Sequence, residues 1–187
     1  MTTVRRTADD RRAQLVAIGL ELLPTTPVQE LTIDEVARRA GISRSLLFHY
    51  FASKREYYTA VIDAAAALLR DHVVPRPGTP AAGQLPGMLD RFVAWVETYR
   101  DSYVAFVRGA HAGDPWVADV YEDTREQLVE VALAAVPLPD GPRQRQLLRA
   151  WFAFTEDLVG SWALAPTMTR PELLALLRDV LDRVAAR

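Results

Sequence analysis

The chain contains no cysteine, which excludes disulfides, thiolate metal sites and cysteine nucleophiles and suits a reducing compartment. It has one lysine, Lys54, against twenty-one arginines. Apolar runs such as Ala64 to Leu69 fall far short of the ~20 residues that span a bilayer. The opening MTTVRRTADDRR lacks the apolar core of a secretory signal. These absences lead to the expectation of a soluble, cytoplasmic protein without a membrane partner. The three histidines, His49, His72 and His111, lie far apart, and there is no H-E-x-x-H, no glutamate followed by histidine at the spacing of a di-metal bundle, no glycine-rich phosphate loop and no G-x-S-x-G. No catalytic residue, metal or cofactor is therefore assigned, and a helical-bundle enzyme is disfavoured.

What is present is charge unevenly spread and apolar residues at helical spacing. The formal net charge is −2, divided as +2 over residues 1–60 and −4 over the rest. A basic head on an acidic body fits a polyanion partner at that end, although ordinary charge fluctuation gives the same numbers. Ala13, Val16, Ala17 and Leu20 recur at i, i+3, i+4, i+7, and so do Leu85, Met88, Leu89, Phe92 and Val96. No stretch alternates with period two, which predicts an all-α fold. Breakers at 24–27, at Gly41 and at 73–87, 112–115, 137–142 and 165–171 separate segments of helical length. We place the domain boundary after residue 54: a three-helix head with a helix-turn-helix over 1–54, and a helical body over 55–187. By composition the Pro/Gly-rich 73–87 is the favoured boundary between a small N-terminal unit and a larger helical one, and a long Ser53–Val73 helix is expected to couple the two.

The stretch AGISRSLLFHYFASK, Ala40 to Lys54, carries the chemistry. Thr32 is placed to cap IDEVARRA, whose Ile33, Val36, Ala37 and Ala40 form an apolar stripe, and Ser43 to cap the next helix. Gly41 supplies the left-handed residue that lets two helices meet steeply. In the second helix Leu47 and Phe51 point inward, which leaves Arg44, Ser45, His49 and Tyr50 outward. Such a face fits the major groove: arginine suits guanine O6/N7, while hydroxyls and imidazole serve bases or phosphates. Lys54 and the Thr32 hydroxyl are candidate phosphate contacts. Arg5, Arg6, Arg11 and Arg12 crowd a helix start, where cations oppose the macrodipole, so either DNA phosphates or solvent must favour them. An ordinary helical hairpin with routine surface residues remains the alternative on spacing alone.

LTIDEVARRAGISRSLLFHYFASKREYYTAVID, Leu31 to Asp63, resembles the DNA-binding region of the TetR family of bacterial transcriptional regulators. The Leu-Thr start, the Ala-Gly turn, the Ser43 cap, the aromatic pair and the lysine stand in that family's register. The resemblance implies Thr32, Ser43 and Lys54 at phosphates, Arg44 and Ser45 at base edges, and His49 and Tyr50 at backbone or base. Phe48 and Leu46 depart from the commoner Tyr and Thr, so that a hydroxyl-to-phosphate bond is lost at Phe48 and the contact at Leu46 becomes apolar.

The body is expected to pair two heads, because a two-fold dimer sets recognition helices ~34–36 Å apart, or a multiple, on a palindromic double-stranded operator. Leu147, Trp151, Phe154, Leu158 and Trp162 form one stripe, and LLALLRDVLDRV contributes Leu173, Leu177, Val180 and Leu181. The resemblance implies that these last two helices form a homodimer interface; a buried core would use the same pattern. Aromatic and polar residues of the body, Trp95, Tyr99, Tyr103, Phe106, His111, Trp116, Tyr121, Trp151 and Thr155, are candidates to line a small-molecule pocket, which the resemblance implies; a plain core uses aromatics at the same spacing. The expected function is a dimeric repressor released by a small-molecule ligand of unknown identity. A helical adaptor that binds only protein is the alternative.

Overall fold

The computed structural model describes residues 7–76, 78–111, 115–135 and 141–185. Among them the structure is all-helical. The head comprises α1 (Ala8–Leu22), α2 (Ile33–Ala40) and α3 (Arg44–Tyr50). Next comes α4 (Lys54–Val73), followed by α5 (Ala81–Thr98), α6 (Arg100–His111), α7 (Pro115–Ala135), α8 (Pro142–Leu164) and α9 (Arg170–Ala185). Residues 112–114 and 137–140 of two expected breakers lie outside the described residues, as do Arg5 and Arg6.

Each head helix, and α4 after it, starts on a side-chain cap. Thr7, Thr32, Ser43 and Ser53 accept from the backbone N–H groups of Asp10, Glu35, Leu46 and Glu56, contacts typically worth about 1 kcal/mol each. α2 ends where Gly41 turns left-handed at φ 66°, with the Ile42 N–H donating to the Ala37 carbonyl at 3.0 Å. That pairing satisfies end-of-helix carbonyls and turns the chain into α3.

The stripe expected on α1 is displaced. Leu15, Ile18, Gly19 and Leu22 are buried, whereas Ala13 and Ala17 are exposed. The larger side chains win because an alanine buries too little apolar area to orient a helix. On α4, Tyr57, Tyr58, Val61 and Ile62 join the same core as Leu15, Val36, Leu47 and Phe51. A cut after residue 54 therefore falls at the start of a helix whose first half belongs to the head. Two phenols pin it there: Tyr57 donates to the Leu15 carbonyl at 2.9 Å, and Tyr58 donates to the Leu31 carbonyl.

The breaker at 73–87 is also shorter than its composition suggests. α5 begins at Ala81 and carries Pro86 inside its second turn, which removes one intrahelical hydrogen bond. Buried Leu85, Met88 and Leu89 offset that loss by packing against the body. In the body, Val93, Val96, Leu148, Val159, Leu173 and Leu177 form the centre of one core.

Candidate nucleic-acid interface and effector cavity

α3 is fixed on its inner side and open on its outer one. Leu47 and Phe51 are fully buried, while Ser43, Arg44, Ser45, Leu46 and His49 are exposed. Tyr50 is half-buried and packs with Phe48 against the head core, and its ring meets that of His49 edge-on with centroids 5.5 Å apart. The expected outward placement therefore describes Arg44, Ser45 and His49 better than Tyr50. Thr32 and Ser43 use their oxygens as acceptors in the caps, which leaves each O–H proton to donate outward.

Charges on this face are preset by neighbours. The Arg44 guanidinium lies 3.3 Å from an Asp34 carboxylate oxygen and 5.7 Å from the Phe48 ring centroid. Arg38 and Arg39 both donate to Glu35 at 2.7–2.8 Å, and those hydrogen bonds hold the Glu35 carboxyl down to about 2. Lys54 is exposed at the first position of α4, its ammonium 4.9 Å from the Tyr58 ring centroid.

Arg12 corrects the sequence reading, which left its charge to DNA or solvent. Its guanidinium donates to the Tyr50 carbonyl at the end of α3, pairs with Glu56 at 3.0 Å and stacks on Phe51 at 4.2 Å. It ties α1, α3 and α4 together. Arg11 bonds Gln14 at 2.7 Å, and acidic Asp9 and Asp10 offset the macrodipole at that end. The sequence marked Arg12 as a misplaced cation but could not name its partners, which lie 38 and 44 residues away.

The body candidates separate into distinct places. Trp95, Tyr99, Tyr103 and Phe106 come together around a cavity of about 70 Å³. Ile62, Ala65, Ala66 and Leu69 of α4 form another wall, and Leu23 at the end of α1 closes it on the head side. Trp151 and Thr155 instead line a second, smaller cavity of about 30 Å³ with Phe92 and Phe152. Trp116 packs against the head core, with the Arg55 guanidinium 6.0 Å from its ring. Tyr121 is buried and donates to Glu156 at 2.7 Å, and Arg125 lies 3.6 Å from the same carboxylate. The His111 side chain lies outside the described residues.

The stripe expected at a dimer interface divides between the core of the single chain and its surface. Trp151, Trp162, Leu173, Leu177 and Leu181 are buried within the single chain. Both indoles are also used internally: Trp151 donates to the Leu177 carbonyl at 2.9 Å and Trp162 to the Met168 carbonyl at 2.7 Å. Leu147, Leu158 and Val180 are half-buried, and Phe154 and Leu176 are each 38% exposed, so the accessible apolar face lies one step around both helices.

Among the described residues no helix is long and apolar enough to cross a membrane, and no group of three or more His, Asp or Glu could hold a metal ion.

A capped helix-turn-helix with a polar outer face, carried by a helical body that contains an apolar cavity, defines a DNA-binding regulator. Residues 15–61 match the family model for bacterial regulatory proteins of the tetR family, and residues 81–182 match the tetracyclin repressor-like C-terminal domain. The chain belongs to the TetR family of transcriptional regulators. The crystal structure of a TetR-family regulator from Streptomyces coelicolor superposes with a TM-score of 0.82 at 26% identity, covering 97% of this chain and 84% of that one. The transcriptional activator FasR of Mycolicibacterium smegmatis is 24% identical over 159 residues, 82% of this chain and 73% of its own length. The regulator EthR of the same organism is 38% identical over 61 residues, but that match spans 33% of this chain and only 28% of EthR. The multidrug binding protein EbrR, solved with proflavin, shares the fold at a TM-score of 0.68 and 16% identity, covering 93% of this chain and 99% of that one.

Proposed function

We propose that this regulator is a homodimeric repressor that holds a palindromic operator through two α3 helices and lets go when a small molecule occupies its body. The observation that carries the DNA-binding part is the polarity of α3: Leu47 and Phe51 fully buried, Arg44, Ser45 and His49 exposed. A helix anchored in this way enters the major groove with base-reading side chains at its N-terminal end. Thr32, Ser43 and Lys54 then serve the flanking phosphates and set its register. Tyr50 keeps its ring in the head and positions α3 rather than reading bases. A mate seated on Leu147, Phe154, Leu158, Leu176 and Val180 covers the accessible apolar face of α8 and α9. EbrR, of the same fold, was solved with a small molecule, which supports reading the cavity beside Leu23 as an effector site.

Two measurements test these finer statements. Sedimentation equilibrium is expected to give twice the 20.9 kDa of one chain, reduced to one chain by Phe154→Asp; a monomeric wild type overturns the dimer. A reporter on the bound promoter is expected to rise when the gene for this chain is removed. A fall would make it an activator, the role named for FasR.

A further inference from the structure

The cavity between head and body has a chemistry that narrows what it can hold. Among the described residues no charged side chain lines it. Of the hydroxyls in its wall, Thr124 donates to the Val120 carbonyl of its own helix at 2.7 Å, and Ser102 donates to the Leu23 carbonyl, with the Thr26 carbonyl also at 3.3 Å. That leaves the Tyr103 phenol, which is buried and has no hydrogen-bond partner. Burial, with Glu156 and Tyr121 nearby, pushes its ionisation well up, so it stays a neutral donor. The remaining wall is hydrocarbon and aromatic, with Trp95 and Tyr99 rings tilted together at 4.2 Å between centroids. A charged ligand entering here loses its hydration and finds no counter-charge in the wall, the nearby Glu156 being met already by Tyr121 and Arg125, whereas an uncharged one loses little.

The same cavity is placed to report its contents. Leu23 is the wall residue that belongs to the end of α1, and its backbone carbonyl is held by Ser102 of α6, 79 residues away. The free volume is about 70 Å³, while a dry cavity of roughly 150 Å³ is what admits benzene. A ring-sized ligand therefore enters only if the wall moves, and Leu23 and α6 are parts of that wall.

We propose that this cavity takes an uncharged, mainly apolar effector bearing one hydrogen-bond acceptor, and that occupancy reaches the DNA-binding head through the Ser102–Leu23 bridge. The coupling half rests on the reading above that a small molecule releases DNA; the ligand-class half does not. The probes are 4-butylbenzyl alcohol, 4-butylbenzoate and 4-butylbenzylammonium, matched in size and differing in charge. Calorimetry without DNA is expected to give the alcohol at least tenfold tighter binding at pH 7 than either ion. Ala65→Leu, and the milder Ala66→Val, fill the cavity and are expected to weaken the alcohol at least threefold while the fold is retained by circular dichroism. Equal binding of an ion, or filled variants that bind the alcohol unchanged, overturns the ligand class.

The ratio of DNA Kd with and without saturating alcohol then measures coupling. It is expected to be at least tenfold in the wild type and to collapse towards one in Ser102→Ala, each protein being compared at an alcohol concentration that calorimetry shows to saturate it. A ratio that survives in Ser102→Ala overturns the bridge. A wild-type ratio of one overturns release itself and leaves the calorimetric result standing.

Discussion

Gly19 sits where α1 meets α4, and its replacement by alanine sets two opposing effects against each other. In an unencumbered helix interior the change stabilises by about 1 kcal/mol. Here a Cβ would lie 2.5 Å from Val61 Cγ2 and 2.6 Å from the Tyr57 hydroxyl oxygen, against contact distances of about 3.5–4.0 Å. Neither neighbour yields cheaply. Val61 is fully buried and strongly prefers a single χ1 rotamer in a helix. Tyr57 is equally buried, and moving its phenol breaks the bond to the Leu15 carbonyl. Overpacking of this kind costs about 1–3 kcal/mol, and the lost buried bond adds about 1. With the propensity gain subtracted, Gly19→Ala should destabilise by about 1–3 kcal/mol, a fall in Tm of roughly 3–10 °C for a chain of this length. Thermal unfolding followed by circular dichroism reads it directly. Tyr57→Phe relieves one of the two clashes, so the double variant should lose less than the sum of the single ones. An unchanged or raised Tm for Gly19→Ala would mean that helix propensity outweighs contact here and that α1 and α4 do not approach as described.

Arg12→Ala should lower Tm, since it removes a charge-assisted bond to the Tyr50 carbonyl worth about 1.5–3 kcal/mol, yet leave the salt slope of DNA binding unchanged; a slope reduced by about one would return Arg12 to the phosphates. Arg44→Ala should cost about 1–3 kcal/mol on the operator and flatten discrimination at one base pair, and equal loss on every sequence would reassign it to phosphate. Lys54→Ala should weaken all DNA alike and reduce the salt slope by about one. The carboxyl of Glu56 is lowered by the Ala52 N–H and by Arg12. A group that titrates lower folded than unfolded contributes fully above its ordinary value of 4.5 and loses that contribution as pH falls through the lowered one. Tm should therefore drop as pH falls below that value, and Glu56→Gln should lower Tm at pH 7 but flatten the acid dependence; a wild-type acid slope in that variant would show that Glu56 contributes nothing to it.

The head was legible because its signals are local. Thr32, Gly41 and Ser43 act within four residues of themselves, and Leu47 and Phe51 are set by the period of one helix. What the sequence hid is long-range. Arg12 finds its partners across the fold, and Asp34 meets Arg44 only because Gly41 turns α2 onto α3. In the body, the period of α8 put Leu147, Trp151, Phe154, Leu158 and Trp162 on one stripe without saying which of them face inward. Bulk decided it: Trp151 and Trp162 fill the core and donate to backbone carbonyls, which leaves Phe154 and Leu147 for the outside. The cavity assembled four of its expected aromatics, Trp95, Tyr99, Tyr103 and Phe106, from adjacent turns of α5 and α6. Leu23 was unforeseeable as its lid, since nothing in a sequence indicates that the end of the first helix rests on the sixth.

The claim on which the rest depends is that α3 reads DNA in pairs. Footprinting of the DNA immediately upstream of the coding sequence, at two salt concentrations, tests it most directly. Paired α3 helices should protect one two-fold palindrome, its half-sites one or more helical turns apart, with affinity that falls steeply as salt rises. Absence of affinity for any DNA at low salt would contradict it and leave Ala40 to Lys54 as a well-capped hairpin.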